Sequence, residues 1–257
     1  MTRIIAIASQ KGGVGKTTTA INLSAFLCLA GKQTLLIDLD PQANATSGLS
    51  ASPPESPPVR AILLESTSWE GCIIDTPWPR FSLVPSLANA ELQIEESAVP
   101  PGRVSALREE LLAVTPPFDF VVLDCPPSLG PIPQLALELA SSALIPVQCE
   151  YFAMEGLTQM LSLIERVNRT RRTALEVEGL LLTLFSEELE LSHDVEEEVR
   201  RFFPDNTLTT VIPRDVALAE SASHGQPICE YNLRSPGSWA YLKLAKEIMS
   251  HGNKKAR

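Results

Sequence analysis

The chain has 257 residues, a formal net charge of −10 and a hydrophobic content of 44%. This length suffices for one large domain with a substantial core, and the composition is typical of a globular protein. The sequence contains no apolar run of about 18 residues, and we therefore predict no transmembrane helix. Since no secretory signal is visible either, we predict a cytoplasmic protein. Five scattered cysteines without a C-x-x-C pair favour buried thiols over disulfides or zinc ligation.

The first chemical signal is a glycine-rich loop between two predicted elements, a strand at residues 4–8 and a helix at residues 18–30. Glycines in such a loop let main-chain N–H groups surround phosphate oxygens at the N-terminus of a helix. In this pattern Lys16 reaches the β- and γ-phosphates, and the Thr17 hydroxyl is a Mg²⁺ ligand. The predicted nucleotide-binding residues of the loop are Gly12, Gly13, Val14, Gly15, Lys16, Thr17 and Thr18.

This loop departs from the usual G-x-x-x-x-G-K-[ST] pattern, because its first position is Gln10 and a second lysine, Lys11, lies inside it. In this form, K-G-G-V-G-K-T-T, it resembles the deviant Walker A loop of the ParA/MinD ATPases. The resemblance implies that Lys11 reaches the nucleotide of a partner subunit in an ATP-sandwich homodimer. A lysine supplied in trans would neutralise phosphate charge as an arginine finger does, and hydrolysis would then depend on dimerisation.

Two aspartates end the second predicted strand, which covers residues 33–39. Carboxylates at this end of a strand beside a phosphate loop are placed to hold Mg²⁺ waters or to orient an attacking water. The sequence D-L-D-P-Q at residues 38–42, followed by x-N-x-T-S, again resembles ParA proteins. The resemblance implies that Asp40 positions the hydrolytic water and that Asp38 supports the Mg²⁺ site.

The apolar stretch at residues 118–124 predicts a fully buried strand that ends in Asp124, and this strand end is the third motif. An apolar strand that ends in aspartate fits a Walker B element, whose carboxylate meets Mg²⁺ through water. The continuation to Ser128 has the D-x-P-P-S form of the same family. We therefore predict Lys11, Lys16, Asp40 and Asp124 as the catalytic residues, and Thr17, Asp38 and Asp124 as the metal-site residues.

The remaining elements alternate between strands and helices. The proline-rich composition of residues 51–60 predicts a surface loop. Residues 251–257 are predicted to form a short basic tail. We predict further strands at 81–85, 143–148, 177–185 and 209–212. We predict helices at 59–64, 87–96, 104–112, 193–203 and 237–250, and one more helix that ends at about residue 167. This alternation predicts an α/β fold: one domain, residues 1–257, with a doubly wound, mostly parallel sheet flanked by helices and ligands at the strand C-termini.

The resemblance extends from Ile4 to about Ile248 and is closest to the chromosomal, Soj-type branch at residues 210–214, 219–228 and 240–247. Residues 149–157 resemble the family segment that leads into a dimer-facing helix. By the resemblance, Pro213 and Arg214 lie at the adenine side of the nucleotide site. The closing helix matches the terminal core helix of the family, so we predict no membrane partner.

Two departures concern DNA binding. Soj-type proteins usually carry DNA-binding arginines after the strand that here ends at Phe185, and commonly a few positions after the P-R pair. Here residues 186–190 read Ser-Glu-Glu-Leu-Glu, and residues 215–217 read Asp-Val-Ala. Each lost phosphate contact weakens DNA binding and lowers its salt dependence by about one unit of slope. Ser186 also replaces the family's adenine-side aspartate or asparagine.

Two functions of different classes follow from the resemblance. The first is a slow, partner-stimulated ParA-like ATPase whose ATP-dependent dimer binds DNA nonspecifically, associates with the nucleoid, and positions or segregates DNA or another cargo with a ParB-type or other activator. The alternative is an ATP-switched dimeric protein-binding module that has lost DNA binding. A metabolic P-loop enzyme such as a biotin-pathway synthetase is a third reading, but Lys11 and D-L-D-P-Q favour the switch ATPases.

Overall fold

The computed structural model describes residues 2–50, 59, 62–63, 68–86, 103–171 and 173–255, with main chain only for 252–255. Its strands are β1 (Arg3–Ile7), β2 (Thr34–Asp38), β3 (Ile74–Asp75), β4 (Phe81–Val84), β5 (Phe120–Asp124), β6 (Ser142–Gln148), β7 (Glu176–Phe185) and β8 (Thr207–Pro213). Its α-helices are α1 (Lys16–Leu29), α2 (Asn44–Ser47), α3 (Arg103–Val114), α4 (Pro131–Leu139), α5 (Ala153–Thr170), α6 (Glu190–Phe202), α7 (Val216–Ser223), α8 (Ile228–Tyr231) and α9 (Pro236–Lys255).

The strands form one sheet in the order β3-β4-β2-β5-β1-β6-β7-β8. Every neighbouring pair is parallel except β3 and β4, which are antiparallel. The chain leaves β1 toward β2 on one side and later adds β6 on the other side. A doubly wound sheet opens a crevice at this switch point, and the loop after β1 lies there. The mostly parallel α/β fold predicted from the sequence is thereby confirmed.

Side chains of successive strand residues alternate between two apolar layers, as the pleat requires. Ile4 and Ala6 of β1 face a layer formed with α3, α4, α5 and α6. Ile5 and Ile7 face the other layer, which contains α1 and α9. Because both faces are covered, β2 and β5 are buried along their whole length, as are β1 and β6 apart from one end residue each, and these strands have nearly continuous apolar sequences. The strands thus hold the loops at their C-terminal ends on a rigid base.

The predicted strands are confirmed with end shifts of a few residues, whereas several short elements were not predicted. These are β3, α2, α4, α7 and α8. One prediction needs correction: α9 continues through Lys255, so residues 251–255 belong to this helix and not to a separate tail. Among the described residues, no helix combines the length and apolar character needed to cross a membrane.

Some predictions fall on parts of the chain outside the described residues. The surface loop predicted at 51–60, apart from Val59, the helix predicted at 87–96, and residues 256 and 257 of the tail are all in this group. Of the helix predicted at 59–64, the three described residues, Val59, Ile62 and Leu63, are helical and buried. Their spacing places them on one helix face against the core.

Candidate functional site

The glycine-rich loop joins the end of β1 to the start of α1, where the sequence predicted it. Gly13 and Gly15 adopt φ angles of 75° and 82°. This left-handed conformation is costly for residues with a Cβ, so the loop requires glycine at both positions. Gly15 is also the N-cap of α1, whose first N–H groups have no partner within the helix. These are the features of an anion-binding turn at a helix N-terminus.

Lys16 is the first residue of α1, and only 6% of its surface is exposed. Its Nζ donates a hydrogen bond of 2.8 Å to the carbonyl oxygen of Lys11. Burial lowers the pKa of the Lys16 ammonium, while the nearby Asp124 carboxylate opposes the change. On the sheet side, the Thr183 hydroxyl of β7 donates to the carbonyl oxygen of Val14 at 3.0 Å. These contacts fix the loop from within and from the sheet.

Asp124 ends the central strand β5 and is fully buried. Neither of its carboxylate oxygens has a hydrogen-bond partner within the part of the chain that the structure describes. Burial raises the pKa of Asp124 well above its usual value, as does Asp38, whereas the Thr17 hydroxyl and Lys16 lower it. A buried carboxylate without partners is costly unless a cation balances it. Carboxylate and hydroxyl oxygens are Mg²⁺ ligands, so Asp124 and Thr17 fit this ion.

Asp38 pairs with Asp124 in the register of β2 and β5, but its carboxylate is fully engaged. Oδ1 accepts from the Asp40 N–H at 3.1 Å, and Oδ2 accepts from the Thr46 N–H at 2.9 Å and its hydroxyl at 2.7 Å. Burial raises the pKa of Asp38 to about 6. Because its oxygens already bind protein donors, Asp38 supports the site by holding α2 in place beside Asp124.

The segment between β2 and α2 places Asp40 beside these groups. Asp40 is 5% exposed, and its Oδ1 accepts from the Gln42 N–H at 2.9 Å. Its charge raises the pKa of both Asp38 and Asp124, although burial is the larger cause in each case. Ala43 follows with a φ of 53°, a left-handed value that is uncommon outside glycine. The sharp turn at Ala43 starts α2 and fixes the direction of the Asp40 loop.

The partly exposed Lys11 side chain forms an ion pair that the sequence did not reveal. Its Nζ is 2.9 Å from Oε2 of Glu150, which follows β6. The other oxygen of Glu150 accepts from Nε2 of Gln148. Next along the chain, Tyr151 and Phe152 are 79% and 63% exposed. The sequence signal was the family-like segment at 149–157, but it did not indicate which residue would contact Lys11.

Pro213 and Arg214 lie at the end of β8, next to the end of β7. The Arg214 N–H donates to the Phe185 carbonyl oxygen at 2.7 Å, which brings Ser186 close to Arg214. The three residues predicted at the adenine side are therefore neighbours. They lie along the same edge of the sheet as the phosphate loop, because β7 and β8 run parallel to β1.

The two segments with acidic residues in place of the family's DNA-binding arginines, residues 186–190 and 215–217, differ in the structure. Asp215 is not a free surface carboxylate: its Oδ1 caps α7 through the Ala217 N–H, and its Oδ2 accepts from the Gly237 N–H at 2.8 Å. Its charge therefore stabilises two helix N-termini. The other acidic side chains, Glu187, Glu188 and Glu190, are exposed around the start of α6. This second group presents exposed negative charge to a large ligand.

A cleft of about 340 Å³ extends from the phosphate loop along α1. It is lined by Thr17 and Thr18 of α1, by Asn44 and Ser47 of α2, and by Ser221 of α7, among others. The cleft was not predicted, because α2 and α7 were not predicted. It gives a ligand bound at the loop room to contact both short helices.

Comparisons with known proteins agree with this geometry. A family model described as an AAA domain matches residues 2–177. The sporulation initiation inhibitor protein Soj of Bacillus subtilis is 43% identical over 256 residues, covering 98% of this chain and all of Soj. The chromosome partitioning protein ParA of Caulobacter vibrioides is 40% identical, covering 96% of this chain and 94% of ParA.

Solved structures agree as well. Cobyrinic acid a,c-diamide synthase from Mycobacterium smegmatis, with bound ADP and magnesium, is 32% identical with a TM-score of 0.83, covering 100% of this chain and 97% of that one. The septum site-determining protein MinD from Pyrococcus horikoshii, complexed with Mg-ADP, is 26% identical with a TM-score of 0.79, covering 96% of both chains. The phosphate loop, the buried aspartates and these full-length similarities lead to one conclusion: the chain belongs to the AAA domain family and is a P-loop ATPase of the ParA/Soj type.

Proposed function

We propose that this protein is a chromosome-partitioning type of ATPase that binds ATP with Mg²⁺ and works as an ATP-dependent homodimer. One observation carries the proposal: the buried Asp124 carboxylate, neither oxygen of which has a hydrogen-bond partner among the described residues, ends β5 directly beside Ile7, the last residue of β1 before the phosphate loop. A nucleotide triphosphate with its cation supplies the charges that this arrangement needs. The similarity to Soj and ParA over nearly the whole chain supports the partitioning role.

Each residue has a role in this proposal. The main-chain N–H groups of residues 12–18 and the Lys16 ammonium would hold the phosphates, and Thr17 and Asp124 would hold Mg²⁺, which would supply positive charge beside the transferred phosphoryl group. Asp38 holds α2 and the Asp40 loop in position, and Asp40 orients the attacking water. Pro213 and Arg214 contact the adenine side.

The homodimer would complete the site. The Lys11 side chain is 38% exposed, so a second subunit could reach it, and Lys11 would act on the partner's nucleotide. The exposed rings of Tyr151 and Phe152 lie beside Glu150, the ion-pair partner of Lys11. Exposed aromatic side chains are enriched at protein interfaces, and this position favours the second copy as the partner. Hydrolysis would then be slow in the single subunit.

Nonspecific DNA binding and a ParB-type activator complete the proposed cycle. The exposed basic residues near β8 and α9 supply phosphate-binding charges: Arg214, Arg234, Lys243 and Lys246. The opposing observation is the exposed acidic group Glu187, Glu188 and Glu190 at the start of α6. It favours the second candidate function, in which the same ATP-dependent dimer binds a protein and not DNA.

The first test is nucleotide binding by Lys16→Ala, with Lys32→Ala as the matched control because Lys32 lies at the opposite end of α1. We expect Lys16→Ala to abolish ATP binding and hydrolysis while Lys32→Ala keeps both. Binding of a fluorescent ATP analogue and phosphate release would be measured with Mg²⁺ and with EDTA. Wild-type ATP affinity in Lys16→Ala would refute the assignment of the loop.

A further inference from the structure

Thr183 lies near the C-terminal end of β7 and is 2% exposed. Its hydroxyl donates a hydrogen bond of 3.0 Å to the main-chain carbonyl oxygen of Val14 in the phosphate loop, although β6 separates β7 from β1 in the sheet. We propose that Thr183 is a positioning residue: by holding this carbonyl oxygen, it directs the next N–H group of the loop, that of Gly15, toward the bound phosphates. This inference rests on the proposed binding of ATP at the loop.

The peptide bond between Val14 and Gly15 converts the contact into an orientation. This bond is trans, as are all peptide bonds among the described residues. In a planar trans peptide the C=O and N–H groups point in opposite directions. Since the Val14 carbonyl oxygen is held on the side of β7, the Gly15 N–H points away from β7. In the described part of the chain this N–H donates to no main-chain carbonyl oxygen, so a ligand can accept from it.

The loop needs such a support because its own residues restrain it little. Gly13 and Gly15, on either side of Val14, have left-handed φ angles that glycine adopts at low steric cost. Glycine adopts many other conformations equally well, so the peptide between Val14 and Gly15 could rotate and turn its N–H away from the phosphates. The Thr183 bond opposes this rotation, because the rotation would leave a buried hydroxyl without its acceptor.

The backbone of β7 is irregular directly after Thr183. Leu181 packs in the apolar layer that contains α1, and Thr183, two positions later, faces the same side, as the pleat requires. Leu184 then has a φ of 52°, a left-handed value that is costly for leucine in a strand. Phe185 packs against the other layer, so the alternation is broken at Leu184. The kink therefore keeps the Phe185 ring off the side of the sheet on which Thr183 meets the phosphate loop.

The first experiment measures ATP affinity in two variants at position 183. Thr183→Val keeps the shape of the side chain and removes the hydroxyl, whereas Thr183→Ser keeps the hydroxyl. We expect Thr183→Val to raise the dissociation constant of a fluorescent ATP analogue with Mg²⁺ about three- to tenfold, and Thr183→Ser to restore most of the affinity. Thr115→Val is the matched control, because the buried Thr115 also donates to a main-chain carbonyl oxygen, at 3.1 Å, but lies before β5 begins, at the opposite end of the sheet.

The second experiment observes the Gly15 N–H directly. Val14–Gly15 is the only Val-Gly pair in the sequence, so labelling valine with ¹³C at the carbonyl and glycine with ¹⁵N gives a single resonance in an HNCO spectrum. The labelled protein is titrated with ADP and Mg²⁺. A hydrogen bond to a phosphate oxygen moves an amide proton resonance downfield, and we expect this shift in the wild type and in Thr115→Val. At saturation the shift should be clearly smaller in Thr183→Val, an effect that a loss of global stability would not produce.

Position 184 provides a test that leaves Thr183 in place. Asparagine adopts positive φ angles more readily than other residues with a Cβ, whereas a β-branched residue is a genuine outlier there. We therefore expect Leu184→Asn to retain ATP affinity and Leu184→Val to lower it. A role of Leu184 in packing alone predicts the reverse order, since valine is the apolar replacement.

The outcomes separate this inference from the proposed function. Wild-type ATP affinity in folded Thr183→Val, with no ATP binding by Lys16→Ala, overturns the role of Thr183 and leaves the ATP site in place. Equal losses of affinity in Thr183→Val and Thr115→Val also overturn it, because the effect would then follow from stability. If Thr183→Val does not fold, the order of affinities of the two variants at position 184 decides. Absence of ATP binding by the wild-type protein overturns the proposed function, and this inference with it.

Discussion

The Thr46 hydroxyl donates a hydrogen bond of 2.7 Å to Oδ2 of Asp38, and both side chains are buried. The same hydroxyl accepts from the Ser86 N–H at 2.9 Å. One oxygen atom therefore joins the end of β2, the short helix α2 and the segment after β4. Because the Asp40 loop lies between Asp38 and Thr46, this link also sets where Asp40 stands relative to the phosphate loop.

Replacement of Thr46 by valine, which keeps the shape and removes the hydroxyl, should destabilise the protein by about 1.5–3 kcal/mol. The cause is the loss of a donor to a buried carboxylate and of the acceptor for the Ser86 N–H. Urea unfolding measures the change, and Thr209→Val on the exposed side of β8 is the control, expected within about 0.5 kcal/mol of wild type. Equal stability of the two variants would show that the link contributes nothing.

Asp40→Ala should trap an ATP-bound dimer, since it removes the group proposed to orient the attacking water but leaves the phosphate loop intact. A positioned acid or base typically contributes at least about 100-fold to the rate, and we expect a loss of that size in phosphate release. Sedimentation with ATP would detect the dimer. Asp75→Ala, on the exposed edge strand β3, should behave as wild type. Hydrolysis by Asp40→Ala at the wild-type rate would show that the assigned role is incorrect.

Lys11→Ala should bind ATP and fail to hydrolyse it. ATP binding is retained because Lys16 bonds to the main-chain carbonyl of Lys11, which the substitution keeps. A charged group supplied in trans contributes about 10³-fold or more to phosphoryl transfer, so the loss in turnover should be of that order. Single-turnover phosphate release, measured beside an ATP-binding titration, separates the two steps. Undiminished turnover would exclude a trans lysine.

DNA binding should be tested with the Asp40→Ala protein, ATP and nonspecific duplex DNA over a series of salt concentrations. We expect ATP-dependent binding that weakens steeply as the salt concentration rises, because exposed lysines and arginines displace counterions from the phosphates. Replacing Glu187 and Glu188 by lysine should strengthen binding and increase the salt slope by about two units. Glu165→Lys, on the exposed side of α5, is the control.

The absence of binding at low salt, with the dimer confirmed, would contradict the DNA-coating function. The exposed glutamates at the start of α6 would then mark the protein as the ATP-switched protein-binding module. In that case replacement of Glu187 and Glu188 by glutamine provides a direct check, because restored DNA binding would show that their negative charges prevent it.

In the absence of nucleotide and Mg²⁺, a decrease in pH from 7 to 5 should stabilise the protein. Burial raises the pKa of Asp38 to about 6 and also raises that of Asp124, so the folded state holds these protons more tightly than the unfolded state. The free energy of unfolding should therefore rise as the pH falls from 7 to 5, by about 1 kcal/mol from Asp38 alone. Denaturant unfolding in EDTA at each pH measures the slope, which Asp38→Asn should reduce and Asp75→Asn should not.

The pH range of this test is limited by another buried carboxylate, that of Glu178, whose pKa shifts in the opposite direction. Burial opposes the shift and is the largest single cause, but the Arg3 guanidinium, the Ser142 hydroxyl and His251 together outweigh it and hold the pKa of Glu178 below its usual value. Its contribution is present near neutral pH and is lost as the pH falls through that lowered pKa, below 4.5. A free energy of unfolding that decreases between pH 7 and pH 5 would contradict the prediction for Asp38 and Asp124.

The local patterns of the chain determined the sheet, the phosphate loop and the position of Asp124. Apolar runs of five to seven residues predict buried strands because parallel strands are covered on both faces. The glycine spacing predicts the loop because the left-handed turns at Gly13 and Gly15 admit little else. These features depend on residues that are close in the chain, so the sequence by itself was sufficient to predict them.

Other features were decided only by the tertiary structure, since they depend on residues far apart in the chain. The four-residue helix α2 is too short for a periodic pattern and is held by Asp38. Helix α7 is capped by Asp215, which the sequence suggested as surface charge and which the structure places against Gly237. Lys11 and Glu150 lie 139 positions apart and meet only because β6 pairs beside β1. Patterns among neighbouring residues predict which groups line the site, whereas strand order decides which of them touch.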